Sequence, residues 1–239
     1  MPEEWTKRHA YLSALCRSLR DTDFHEWGFV IYRGVYGDDD AWNSFLQCLR
    51  DNVHLNLRRG GAPGPERGAL LERYAQWTVI EDRATLDGAS RDVVRQKFVR
   101  WREGRIVTRK RSPNFLTLPC DPKPLALPRF AYCLYVDHEC LATLGPHLAG
   151  KPSDPTQPHF PPPPLVAILI DGDYVHQPDV QGPFPPIDGS TARYVGWEYS
   201  DTRYICSLYE DLIASPLDDY SYRRPPALTE TGSRSMPLV

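Results

Sequence analysis

Phe29-Val30-Ile31-Tyr32-Arg33-Gly34-Val35-Tyr36-Gly37-Asp38-Asp39-Asp40-Ala41-Trp42 passes from an apolar, β-branched run, through a turn, to three aspartates. Four consecutive side chains of strand-forming type, without polar alternation, read as a strand buried on both faces. Asp38 to Asp40 supply an N-cap and negative charge where a following helix has its positive end. Trp42, Phe45, Leu46, Leu49 and Val53 then recur at helical spacing, Arg58-Arg59 suit the negative end, and Gly60-Gly61 stop the helix. A buried strand feeding a long amphipathic helix is the opening unit of an α/β fold.

Three further apolar runs end on charge in the same way. Trp77-Thr78-Val79-Ile80 meets Glu81-Asp82-Arg83, Tyr132-Cys133-Leu134-Tyr135-Val136 meets Asp137, and Leu165 to Ile170 meets Asp171-Gly172-Asp173. In open α/β sheets ligands gather outside strand ends, where side chains are freed from pairing. If the four ends face one way, Glu81, Asp82, Asp137 and Asp171 are the candidate acid/base groups, and Arg33, Arg83 and Asp173 the candidate substrate-binding groups. Each has an ordinary alternative. Asp137 before His138-Glu139-Cys140 also reads as a helix cap, and Glu81 or Asp82 as an ion-pair partner of Arg83 or Arg33. Asp171-Gly172-Asp173 reads either as two oxygen ligands for a hard cation or as a turn, with Tyr174-Val175 starting a hairpin return. His138, Cys140 and Cys133 lack a fourth soft ligand, so neither a zinc site nor any other metal or cofactor is expected.

The remaining pattern gives an N-terminal helix over 4–20, a short helical turn at 70–74, and a helix over 91–104 capped by Ser90. A short helix follows at 138–144, then a strand at 192–199 and a helix over 202–214. The 24 prolines cluster in the intervening loops. The expected class is α/β or α+β: a single domain over 1–215 around a four- to five-stranded sheet, with a partly disordered tail over 216–239. A ferredoxin-like plait is the first choice of topology and a small doubly wound sheet the second.

The helix beginning at Arg91 is the second feature of interest. Residues 91–111 hold nine Arg or Lys against Asp92 and Glu103, in a chain whose net charge is −3. Val94, Phe98 and Trp101 form its apolar stripe, and Arg91, Arg95 and Arg102 lie along one flank, where solvent exposure would suit an anionic partner such as RNA. A solvated helix face answering the acidic remainder is the alternative. The six cysteines form no C-x-x-C pair, and most sit inside apolar patterns as small buried residues. The opening residues lack the apolar core of a secretory signal, and no run reaches the length of a membrane span, which points to a cytoplasmic protein without a membrane partner. The sequence has no G-x-S-x-G, P-loop, H-E-x-x-H or G-x-G-x-x-G pattern.

Across Trp27 to Arg33, Asp38 to Trp42, Ile80 to Arg83, Leu86 to Ser90 and Tyr132 to Asp137, the chain resembles a large set of uncharacterised fungal proteins, over about residues 25–215. That resemblance implies a fungal, cytosolic protein and brings no activity with it. A looser likeness is to the fungal arginine-containing cyclodipeptide synthases of secondary metabolism, which use aminoacyl-tRNA. Their catalytic residues match no positions here, and none are carried over. Three expectations follow: a cofactor-free acid/base enzyme acting on a small molecule, an aminoacyl-tRNA-dependent enzyme, and a noncatalytic module docking an anionic partner through the basic helix. DNA is not expected as a partner.

Overall fold

Strand β1 (Val30–Arg33) is hydrogen-bonded on both sides to strands running in its own direction, β2 (Thr78–Ile80) and β3 (Tyr132–Val136). The computed structural model in which this is seen describes residues 5, 12–22, 26–59, 64–110, 127–151, 161–176, 181–219 and 222–229. Strands β4 (Val166–Asp171), β5 (Trp197–Asp201) and the two-residue β6 (Leu228–Thr229) complete one mixed sheet of order β2-β1-β3-β4-β5-β6. β1 and β3 are buried throughout, and β4 is buried up to its last residue, as their unbroken apolar runs require when helices cover both faces.

The parallel half follows from its connections. β1 leaves through α2 (Asp39–Arg59) and α3 (Gly64–Tyr74) to β2 on one side. β2 returns through α4 (Arg83–Leu86), α5 (Arg91–Lys110) and α6 (Pro128–Ala131) to β3 on the other. Right-handed crossovers in opposite directions cover opposite faces; α2 packs with α3 and with α9 (Ile205–Ala214), whereas α5 packs on β3 and β4. α2 starts as its aspartates foretell, the Asp38 carboxylate accepting from the Ala41 amide at 2.8 Å. Its inner face is Trp42, Phe45, Leu46, Leu49, Val53 and Leu57, all buried.

The α/β class and the single sheet are as expected. Of the two topologies weighed, the sheet takes the second: a plait would alternate antiparallel neighbours, and here β2, β1 and β3 are mutually parallel, a doubly wound half extended by antiparallel strands. Between β3 and β4 the described residues hold the short helices α7 (His138–Ala142) and α8 (Leu144–Ala149), and the chain comes back into the sheet at the edge it left. The expected tail overlaps a described stretch at 216–219 and 222–229, which includes β6, and otherwise lies outside the described residues, as do residues 4 and 6–11 of the expected helix over 4–20. Helix α1 (Ser13–Thr22) is described, and Glu210 of α9 caps it, accepting from the amides of Leu12 at 2.6 Å and Ala14 at 2.8 Å.

One buried cation ties the lower margin of the parallel half. Arg129, 2% exposed, donates to the carbonyls of Gly28 at 2.9 Å and of Gln76, and to Thr78 Oγ1 at 2.8 Å, joining the approaches to β1 and β2. Burial pushes its pKa down from the usual guanidinium value, against the opposing influence of Tyr209 and Glu26. Truncation leaves two backbone carbonyls without donors at about 1–3 kcal/mol each. Arg129→Met is therefore expected to lower unfolding free energy by about 3 kcal/mol, read from the urea midpoint at unchanged slope. A loss below about 1 kcal/mol would show that the clamp is not structural.

Candidate functional site

Register decides which strand ends meet. Ile80 lies opposite Tyr32, and Val136 opposite Arg33, so Arg33, Glu81, Asp82 and Asp137 all leave the sheet at its upper edge. Asp171 pairs with Tyr132, the first residue of β3, which puts it and Asp173 at the lower edge. The expected convergence of all four carboxylates is thereby corrected: β4 runs against β3, and its end is the other end. Nor does Tyr174 begin a hairpin return, because β5 starts only at Trp197. Asp201, which closes β5 at the upper edge opposite Val166, follows the same strand-end rule and was not singled out.

The β1 and β2 ends form a closed network. The Arg33 guanidinium, only 5% exposed, donates to the Val35 carbonyl at 2.8 Å and to Asp39 at 2.5 Å, and stands 3.9 Å from Glu81. It also lies over the rings of Tyr36 and Trp42. Glu81 accepts from the Trp42 indole at 2.5 Å. Asp82 precedes α4, where the Thr85 hydroxyl and then Lys97 hold its carboxyl below its ordinary pKa. Arg83 is exposed and, among the described residues, reaches only Asp87, at 3.7 Å. Arg33 and Glu81 thus stand as the ion pair named as their ordinary alternative, whereas Asp82 is held by Thr85 and Lys97 and not by Arg83 or Arg33.

A cleft of about 530 Å³ opens where the strand order reverses. From β1 the chain turns outward to one neighbour, and from β3 away to the other, leaving a gap above the sheet. Gly34, Val35 and Tyr36 after β1, Asp137, His138 and Glu139 after β3, and Asp87 to Arg91 at the start of α5 line it. Tyr135 forms its floor and donates to the Ala89 carbonyl at 2.7 Å. Gly34 is required beneath it, because a Cβ there would stand 2.2 Å from the Tyr135 ring. Asp137 caps α7, its Oδ1 accepting from the Cys140 amide at 2.9 Å, and Glu139 Oε2 accepts from the Tyr199 hydroxyl at 2.8 Å. The Cys140 thiol also hydrogen-bonds the Asp137 carboxylate, whereas among the described residues no donor reaches Glu139 Oε1. Arg91, the cation of the cleft, stacks 3.8 Å from the Trp197 ring centre and lies 3.6 Å from Asp188. Glu139 and His138 went unselected in the sequence because nothing in local pattern separates them from helix surface.

The basic helix also needs correction. Arg95 is 9% exposed and donates to the carbonyls of Asp171 at 2.8 Å and Gly196 at 3.2 Å. Arg102 donates to the Phe130 carbonyl at 3.0 Å and pairs with Asp173 at 2.8 Å. With Arg91 on Trp197, all three candidate RNA-binding arginines are turned inward, where they hold α5 to the sheet. Val94 and Phe98 are buried as expected, and Trp101 is partly so. Of the other cations, Arg100 and Arg105 are exposed, while the side chains of Arg109, Lys110 and Arg111 lie outside the described residues. At the lower edge the Tyr194 hydroxyl donates to Asp171 at 2.6 Å and the Asp173 amide at 2.8 Å, yet burial pushes the Asp171 carboxyl above its ordinary value.

Against protein families, curated proteins and solved structures, the chain finds no match. No group of three or more His, Cys, Asp or Glu able to hold a metal occurs among the described residues, and no described helix is long and apolar enough to cross a membrane.

Two outcomes follow. Glu81→Gln keeps the indole acceptor and loses only a half-exposed charge, so it is expected to cost about 1 kcal/mol or less by thermal or urea unfolding; a loss several times larger would make the network structural. For Asp171, a folded pKa above its ordinary 3.8 means that this group's stabilising contribution is complete below that value and is lost as pH rises through the folded pKa. Asp171→Asn keeps an acceptor for Tyr194 and is expected to flatten that decline in a pH series of melting temperatures. A steeper decline in the variant would contradict the burial argument.

Proposed function

We propose that the cleft between the ends of β1 and β3 binds a small molecule through a cationic group, an amine or guanidinium, as a cofactor-free enzyme of small-molecule metabolism would require. The supporting observation is the charge of the lining. Asp87, Asp137 and Glu139 face one arginine, which lies on Trp197 and beside Asp188, and Glu139 Oε1 has no protein donor among the described residues. A bound cation offers these carboxylates charge-assisted hydrogen bonds. A phosphate is disfavoured, because the turn leading from β1 into α2 carries Asp38, Asp39 and Asp40 where phosphate-binding folds leave bare amides. His138 in the same lining supplies an imidazole, the side chain most often used to move a proton in acid/base chemistry.

An arginyl substrate of the cyclodipeptide-synthase kind presents such a guanidinium. The tRNA-binding surface that reading also needs finds no support in Arg91, Arg95 and Arg102, whose partners are internal. The same geometry weakens the noncatalytic docking module, which rested on that helix face.

The test is calorimetric titration at low salt with agmatine and putrescine, and with citrate as the anionic control. Agmatine is expected to bind, and Asp137→Asn or Glu139→Gln to weaken it about tenfold each, the size of one charge-assisted hydrogen bond. Asparagine still caps a helix and glutamine still accepts from Tyr199, so both variants keep the fold. Tighter binding of citrate than of either amine would overturn the reading.

A further inference from the structure

A second cleft, of about 610 Å³, lies between the middle of α2, helix α8 and the 3-10 turn Thr202–Tyr204 that follows β5. Its lining is unlike the first. His147, 1% exposed, has Nδ1 2.8 Å from the Pro163 carbonyl oxygen. A carbonyl only accepts, so Nδ1 carries the proton. Burial pushes the imidazole pKa down, which leaves Nε2 with a lone pair, and among the described residues nothing donates to it. A buried acceptor without a donor calls for an explanation, and an absent ligand is one.

One asparagine on the same wall is fixed in the same sense. Asn56 Nδ2 donates to the carbonyls of Asn52 and Arg203, each at 2.8 Å, so the amide cannot flip and its Oδ1 is an acceptor. Asn52 meets the Thr202 hydroxyl at 3.1 Å, a group that can donate or accept, so its amide offers the cleft either an acceptor or a donor. Two acceptors are thus held by hydrogen bonds made behind them. The cations differ from one another. Arg203 is bound to Asp201 at 2.5 Å, whereas the Lys151 ammonium has a thiol, that of Cys48, at 3.4 Å and no carboxylate in the described structure. Leu55, which is 46% exposed, and Pro161 and Pro162 add apolar surface.

We propose that this cleft is a binding site for a small polyhydroxylated compound carrying one anionic group, a sugar phosphate or sugar acid. Its hydroxyls donate to His147 Nε2 and Asn56 Oδ1 and exchange a hydrogen bond with the Asn52 amide, and its anion meets Lys151. Its C–H face lies on Leu55 and the prolines. A simple anion would use Lys151 and leave the two acceptors unmet. A neutral polyol would do the reverse. The volume is within the range of small-ligand sites.

The experiment is isothermal titration of the full chain with glucose 6-phosphate, gluconate, sorbitol and inorganic phosphate, each to millimolar concentration, beside Lys151→Met and His147→Gln. Lys151 is exposed, so its variant folds whatever becomes of the buried histidine. Glucose 6-phosphate or gluconate is expected to bind more tightly than sorbitol or phosphate, the tighter of the first two identifying the anion as phosphate or carboxylate. Lys151→Met should weaken that ligand about tenfold and leave sorbitol unchanged, and His147→Gln should weaken all polyols. Inorganic phosphate binding as tightly as the sugar phosphate would overturn the proposal in favour of a bare anion site. No binding of any probe, or binding indifferent to Lys151→Met, would overturn it outright.

Discussion

The pairing of β1 with a parallel strand on each side governs the rest of this molecule. Parallel neighbours cannot be joined by tight turns, so each requires a helical crossover, and because the two neighbours lie on opposite sides the crossovers diverge. The divergence leaves a gap above β1 and β3, and the turns that bound it place Gly34, Tyr36, Asp137 and Glu139 around one space. The cleft follows from strand order, and its chemistry from whichever residues happen to occupy those turns. The antiparallel half adds walls to it: Trp197 and Tyr199, on β5, hold Arg91 and Glu139 in place.

Buried guanidinium groups perform much of the fastening. Arg33, Arg95 and Arg129 each donate to backbone carbonyls at the margins of the sheet, and each lies against an aromatic ring. A planar donor fork of constant charge suits this use, since it satisfies several acceptors at once and does not shed its proton on burial. Such groups stabilise through what would be left unsatisfied without them, more than through the ion pairs they also make.

What could be read in the chain was whatever repeats locally. The apolar runs at 29–32, 132–136 and 165–170, the capped helix from Asp39 and the stripe of Val94 and Phe98 all reappear as elements, because strand and helix periods are properties of neighbouring residues. Direction was not legible. Asp137 and Asp171 look alike in sequence, each an aspartate after an apolar run, and only the antiparallel register of β4 sends them to opposite edges. Burial of the arginines was hidden for a related reason: Arg95 and Arg102 fall on the flank of α5 as a solvated face would, and the carbonyls that claim them come from residues 171, 196 and 130. His147 carried no signal at all, being a lone histidine whose partner is the carbonyl of a proline in a proline-rich stretch.

The cap on α1 bears on the order in which the chain can become itself. Glu210 holds the amides of Leu12 and Ala14 across separations of 198 and 196 residues. The first helix therefore receives both its cap and its packing partner from the last, and the two ends of the fold close on each other only when both are in place.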